Sequence, residues 1–597
     1  PDEAKDLTAF RDRLAGRSAV PREGGRWDVV VVGAGPGGLG AALAAARTGV
    51  RVALVHDRPE LGGNASREIG VAVGGAAEAW PNRRPNMRES GLVEEADLRR
   101  GREPGKSFGE VFGQMAAAET NLTVFSNERV MEVGKDGARI VSVTARNTRT
   151  GVRTRFRAET FVDCTGDGWV GFFAGADFMR GREARAEFGE EEAPETRDDL
   201  MMSGSIMQGH CGYRYALRDN PVPYKTPAWA DVLPKGFTRR VKDLNFRWWL
   251  EHNGRFDELA DLERARDELV RINFAYWGWL KNASPLTNLA EKAELVSLPH
   301  MIGRREGMRL VGDYVLTGND IKAGRIFEDA VAYGGWPMDT HDPLGIDNPM
   351  GDGYWKVHPG VPTYTIPYRS LYSRNIENLF MAGRCLSATH MALGSTRVEG
   401  TIFGLGQAVG TAAALALRRG QTPRQYGKTH IRELQQRLLR DDQYIPGLEN
   451  EDVADFARTA KASATSTAAG SRPDCVIDGV ARQVGDDMHG WVSDAAAKLP
   501  QTIRLDFPEP VEVSQVRLTF DSDLTPKRAP RYSPRLVRGY VVEGLADGKW
   551  IPIAEDAENF LRHRVHDFPR RRLSAVRVTV TATWGGPSAR IFEIRVY

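Results

Sequence analysis

Glycines 33, 35 and 38 stand in VVVVGAGPGGLG (29–40), between a run of four valines and the alanine-rich segment AALAAAR. A GxGxxG loop at a strand-to-helix junction leaves helix N–H groups free for an anion. Gly33 permits the tight turn, Gly35 lets the backbone approach a pyrophosphate, and Gly38 lets helix and strand pack closely, with Pro36 and Gly37 opening the helix. The next strand-like run, RVALVHDRPELGG from residue 51, reaches Asp57 and Arg58 about 20 residues on, where an acid binds a ribose 2′-hydroxyl. A dinucleotide pocket is predicted. Three more residues can do chemistry: His341 in GGWPMDTHDPLG, His390 in SATHMALG and Arg397 in GSTRVEG. The imidazoles can move a proton and the guanidinium can hold an anion. The four cysteines (164, 211, 385 and 475) have neither metal nor redox spacing, so they are read as free thiols, which favours a reducing compartment, and no metal site is expected.

The elements that place these residues are spread over 597 residues, too many for one core. Apolar content of 41% and charge of 27%, with 81 basic against 79 acidic residues, describe a globular chain with no nucleic-acid surface and no polybasic membrane patch. No apolar run approaches the ~18 residues that span a bilayer. The first 26 residues are polar, include DLTAFRDRLAG as a short amphipathic helix, and lack a signal-peptide core. The expected location is cytoplasmic, or exported after folding with a leader already removed. The stretch NLTVFSNERVMEVGKDGARIVSVTARNTRTGVRTRFRAETFVDCTGDG (121–168) alternates as a β-meander around a KDG turn. Residues from about 175 to 360 are rich in Trp, Tyr and Arg and contain the helical run DELADLERARDELVR. The grammar of the first unit returns at NLFMAGRCLSATHMALGSTRVEGT (378–401) and IFGLGQAVGTAAALALRR. KASATSTAAGS (461–471) reads as a linker. Beyond it, QTIRLDF, VSQVRLTF, LVRGYVVEG and SAVRVTVTA are short, evenly spaced strands of a β-sandwich.

A nicotinamide-binding domain is normally complete within ~150 contiguous residues, whereas cofactor-like segments recur here at 29–66, 163–168 and 378–410. That dispersal favours FAD. The segments VVVVGAGPGGLG, VHDRPELGGNASREI, FVDCTGDG, AVAYGGWPMDTHDPLG and IPYRSLYSRNIENLFMAGRCLSATHMALGSTRVEG resemble the glutathione-reductase-type flavoproteins. The specific likeness is to the FAD-dependent oxidoreductases found in bacterial genomes beside carbohydrate-degrading genes. The resemblance implies FAD pyrophosphate on Gly33, Gly35 and Gly38, adenosine ribose near Asp57, ribityl near Gly383, and the flavin ring close to Val398–Thr401, including Gly400. Further cofactor contacts are implied at Pro36, Gly37, Arg58, Gly63, Asn64, Val130, Thr165, Gly166 and Asp167. Segment 62–69 lacks the histidine that related flavoproteins attach to the ring, so FAD is expected without a covalent bond.

The implied fold class is α/β. A Rossmann-like FAD-binding domain (27–175 and 360–425) follows an N-terminal extension (1–26) and carries an inserted α+β substrate or cap domain (176–359). A helical segment and linker (426–470) leads to a C-terminal all-β sandwich (471–597). The sandwich resembles the discoidin, or coagulation factor 5/8 C-type, fold in DCVIDGVARQ, GWVSD, QTIRLDF and VSQVRLTF.

Departures from the flavoprotein pattern matter. His56 stands where many relatives place an acid, so the ribose contact at Asp57 can shift. Arg384 cannot accept a ribityl hydrogen bond, so its expected partner is a phosphate or a substrate oxygen. Arg305 and Arg309 of RREGMR are substrate or structural arginines. With no second GxGxxG, the flavin is expected to be reduced by a small-molecule substrate, through hydride transfer to N5 while a base takes the hydroxyl or amine proton. His390 and His341 are the candidate bases. Arg397 resembles the substrate-carboxylate arginine of fumarate-reductase-like flavoproteins, or supports the flavin O2 region. RWWLEHNG (247–254) and Trp336 stack on a sugar or fill the core. Three readings result: an oxidase or dehydrogenase of a carbohydrate, glycoside or polyol, passing electrons to O2 or another acceptor; a flavin-dependent reductase of an activated alkene; and a glycan-binding protein with a structural flavin domain.

Overall fold

The computed structural model describes residues 7–18, 20–78, 84–207, 213–238, 241–245, 249–348, 357–358, 360–525 and 532–597. They divide into two compact units, one of Pro1–Gly74, Ser107–Asp329 and Gly334–His430, the other of Gly75–Lys106, Ala330–Tyr333 and Ile431–Tyr597.

The first unit is built on a seven-stranded sheet. Strands β1 (Arg22–Val32), β2 (Val52–His56), β3 (Leu122–Ser126), β4 (Glu128–Asp136), β5 (Arg139–Asn147), β6 (Arg153–Asp163) and β7 (Leu379–Met381) take the order β3-β2-β1-β6-β5-β4, with β7 on the far end of β6. Val29–Val32 form the parallel centre, with Val30 opposite Ala53 on one side and Phe161 on the other, and all four valines are buried, as a strand covered on both faces requires. β4, β5 and β6 run antiparallel, which is the expected meander. β7 returns from more than 200 residues away to register Leu379 on Phe161.

Helices α1 (Pro36–Arg47) and α4 (Glu399–Arg418) pack closely on each other through glycines: a Cβ on Gly406 would lie 2.1 Å from the Gly37 carbonyl oxygen, and one on Gly410 2.0 Å from that of Ala41. Contrary to the sequence expectation, α4 is long and apolar enough to cross a bilayer, but 94% of its apolar window is buried. The inserted region has its own core around α2 (Leu262–Asn282), where Tyr276, Trp277, Tyr213 and Trp249 pack edge to face. Trp249 thus fills core, while Arg247 and Trp248 lie outside the described residues, as does Cys211.

The second unit is an antiparallel sandwich of β8 (Lys461–Ala464), β9 (Trp491–Val492), β10 (Gln501–Phe520), β11 (Val537–Ala546), β12 (Lys549–Asp556), β13 (His563–Thr583) and β14 (Arg590–Val596), in the order β9-β14-β10-β13-β11-β12 with β8 on β10. Two sequence boundaries shift. Residues 461–464 are a strand, Lys461 opposite Asp506 and Ala464 opposite Ile503, with Ala462 and Ala464 against the core, so KASATSTAAGS is no linker. Residues 75–106, read from sequence as part of the flavin domain, belong here: Leu98 enters the sandwich core, Ser522 donates to Glu94 at 2.5 Å, and Arg482 donates to Ser90 at 2.9 Å.

Candidate active site

The C-terminal ends of β1 and β6 and the N-termini of α1 and α4 open on a cavity of about 520 Å³. Gly33 turns the chain at φ +98°, with its N–H on the Val55 carbonyl at 2.8 Å, and a Cβ there would lie 2.2 Å from the Cys164 carbonyl oxygen. Gly38 is closer still, its Cβ position 1.7 Å from the Gly33 oxygen. Both glycines answer to packing. Gly35 does not: it caps α1 without a side-chain cap, and nothing but the Gly63 Cα, at 4.0 Å, approaches its Cβ position. The helix end is therefore left to an anionic ligand.

At one end of the cavity His56 is locked, Nδ1 accepting from the Ala34 N–H at 3.2 Å and Nε2 donating to the Glu60 carbonyl at 2.9 Å. Burial lowers its pKa, in keeping with a neutral ring. Asp57, with its side chain 47% exposed, is left as the acid, beside Val130 and Thr148. Asp163 accepts from the Thr165 hydroxyl at 2.7 Å and the Gly171 N–H at 3.0 Å, which shapes the loop carrying Thr165, Gly166 and Asp167. Buried Asp167 takes Arg304 at 2.5 Å and Arg384 at 3.4 Å. The expected anion for Arg384 is thus a carboxylate of this chain, although its buried Nε has no partner among the described residues.

Of the sequence-predicted cofactor residues, Gly33, Gly35, Pro36, Gly37, Asp57, Arg58, Gly63, Asn64, Val130, Thr165, Gly166, Asp167, Gly383 and Arg384 line the cavity. Gly38, Val398, Gly400 and Thr401 do not. Glu399 and Ile402 line it in place of the last three, joined by Arg304 and Trp169. An open glycine cradle, an uncapped helix, an acid at one end and a guanidinium Nε without a partner fit FAD.

His390 and His341 lie elsewhere. Both line a second cavity of about 270 Å³ with Arg182, Glu183, Glu190, Glu192, Thr340 and Asp342. His390 opens α3 (His390–Thr396), its backbone N–H donating to Glu183 at 2.8 Å. Its Nδ1 meets Glu306 at 3.0 Å, and its Nε2 has no partner among the described residues. Glu306 is fully buried and also accepts from the Met202 N–H at 2.8 Å and from Arg309. Burial pushes its carboxyl up, but His390 and Arg309 more than offset that and hold it below the ordinary range. Arg309 in turn meets Glu183 at 2.6 Å, so Arg309 is structural.

His341 sits in the left-handed region at φ +54°, between two carboxylates: Glu251 at 2.8 Å from Nδ1 and Asp339 at 3.3 Å from Nε2. Arg305 meets Glu251 at 3.2 Å, and Arg397 donates to the Asp339 carbonyl at 3.0 Å and its carboxylate at 3.4 Å. Burial pushes Asp339 up, but His341, Arg397 and Arg305 together hold it well below the usual carboxylate range. Arg397 lines neither cavity. Residues 304–306 link the two, with Arg304 at the large cavity and Glu306 bracing His390 at the small one.

Residues 28–438 match the model of the FAD dependent oxidoreductases. The chain belongs to that family. A soluble pyridine nucleotide transhydrogenase of Hahella chejuensis is 59% identical over 39 residues, 6% of this chain and 8% of the relative. Sarcosine oxidase subunit alpha of a Corynebacterium is 52% identical over 54 residues, 9% of this chain and 6% of the relative. These matches therefore span less than a tenth of either relative. Among solved structures, the family 32 carbohydrate-binding modules of C. perfringens NanJ (20% identity, TM-score 0.20) and of Streptococcus pneumoniae EndoD (17%, 0.21) each cover 24% of this chain and 95% and 98% of their own. Membership of the family implies FAD as the cofactor of an oxidoreductase.

Proposed function

We propose that this flavoprotein oxidises the carbinol C–H bond of a neutral polyhydroxylated alcohol, a sugar, glycoside or polyol, with His390 as base. The supporting observation is the charge pattern of the smaller cavity. Four carboxylates line it, Glu183, Glu190, Glu192 and Asp342, and its single arginine, Arg182, is already paired with Asp198 at 3.0 Å. An anionic substrate finds no open counter-charge there, whereas hydroxyl groups find acceptors. Arg397 is held by Asp339 and is not offered to a substrate carboxylate, which weighs against reduction of an acidic alkene.

FAD, when bound, supplies a two-electron acceptor for the hydride. The proton is the protein's task. With Nδ1–H given to Glu306, the lone pair of His390 rests on Nε2, where it can take the substrate hydroxyl proton as the carbon becomes a carbonyl. His341 has a carboxylate on each ring nitrogen, Glu251 and Asp339, so it has no lone pair to spare for the substrate proton. FAD-loaded protein is to be mixed anaerobically with sugars, glycosides, polyols, hydroxy acids and amines. Bleaching of the flavin by a neutral polyol supports the reading; bleaching by amines or hydroxy acids alone, or by none of the panel, overturns it.

A further inference from the structure

Glu399, the first residue of α4, lines the cofactor cavity and is 5% exposed. Its carboxyl meets the Asn64 side chain and forms no ion pair among the described residues. The nearby cations are committed: Arg384 and Arg304 to Asp167, Arg397 to Asp339. Arg384 and Arg397 still favour the ionised form, as does the Asn64 hydrogen bond, but burial outweighs them and pushes the carboxyl up to about 7. Such an acid is half-ionised at neutrality while the cavity holds water. Filling the cavity removes that water and raises the cost of the charge further.

We propose that FAD binds with Glu399 in its neutral form, so that ionising Glu399 weakens binding of the cofactor. This rests on the assignment of the larger cavity to FAD and is independent of the substrate. If only the neutral form admits FAD, the dissociation constant rises about tenfold between about pH 6 and about pH 8. Glu399→Gln, neutral at every pH and able to keep the Asn64 contact, loses that dependence and binds FAD about tenfold more tightly than the wild type near pH 8.

Apoprotein of both forms is titrated with FAD by flavin fluorescence across that interval, with far-UV circular dichroism as a check on folding. The Gln variant also controls for His300, which lines the same cavity. A flat wild-type profile, or the same slope in both proteins, overturns the proposal. If the variant fails to fold, the wild-type profile decides. Absence of FAD binding by the wild type at any pH overturns instead the assignment of the cavity.

Discussion

Glu306→Gln separates the bracing of His390 from the folding of the core around it. The substitution keeps the shape of the side chain and removes its charge. Breaking a buried ion pair from one side typically costs about 3–5 kcal/mol. Here Arg309 keeps Glu183 at 2.6 Å and the Gly181 carbonyl at 2.6 Å, so its charge is not orphaned. The loss reduces to weakened charge-assisted bonds, about 2–3 kcal/mol. Its pH dependence has a definite sign. The Glu306 carboxyl is depressed in the folded chain, so its stabilisation is complete above the unfolded carboxylate value and is lost as pH falls through its own lower value. The variant should therefore converge on the wild type in acid. The effect on chemistry is larger. A glutamine amide presented to Nδ1 no longer fixes the proton there, the Nε2 lone pair is no longer guaranteed, and anaerobic flavin reduction should slow roughly 10²-fold or more. Urea unfolding and single-turnover reduction measure the two effects on one preparation. A variant destabilised as expected but reducing within about threefold of the wild type would refute the claim that Glu306 keeps His390 competent.

Other expectations follow from single contacts. Gly35→Ala should leave apoprotein unfolding unchanged yet weaken FAD binding at least tenfold, because its Cβ meets only the open cradle; Gly38→Ala, with a Cβ 1.7 Å from the Gly33 oxygen, should instead destabilise by about 1–3 kcal/mol or more, and thermal melts with FAD titration distinguish them. Truncation after residue 460 should give insoluble protein, because Leu98 and the segment 75–106 lose the core they enter; a soluble, FAD-binding fragment would contradict the division of the chain. Half-buried His563 is held at about 4, mainly by loss of solvent around the ring, so its neutral form is favoured in the fold. Stability should therefore fall by on the order of 3 kcal/mol as pH drops from the unfolded imidazole value to about 4, and His563→Asn should flatten that slope in urea unfolding.

Much of the first unit is legible in the sequence because local rules dictate it. Four consecutive valines read as a strand buried on both faces, the glycine spacing as a phosphate-binding turn, and 121–168 as a meander. The distant return at 378–401 is legible because it repeats the same strand-to-helix grammar. What escapes is set by tertiary partners. The helix around Leu98 has the same amphipathic pattern whichever core it joins. Residues 461–464 carry the serine and alanine of a linker and become a strand only because β10 offers an edge. Glu306 does not stand out among the arginines of RREGMR, yet a carboxylate flanked by buried arginines needs a partner, and that charge balance is the signal the sequence offers. The smaller cavity around the histidines escapes because much of its lining comes from residues 182–201, which carry no recognisable motif.

The central claim concerns one carbon–hydrogen bond and one imidazole, and one measurement reaches both. FAD-loaded wild type and His390→Ala are mixed anaerobically with the best polyol substrate, carrying hydrogen or deuterium on the carbinol carbon, and the bleaching of the flavin is followed by stopped flow. The wild type should reduce with a normal primary isotope effect, and the variant, still binding FAD, roughly 10²-fold or more slowly. Equal rates in the two proteins, or wild-type reduction without an isotope effect even when chemistry limits the rate, would contradict hydride removal assisted by His390.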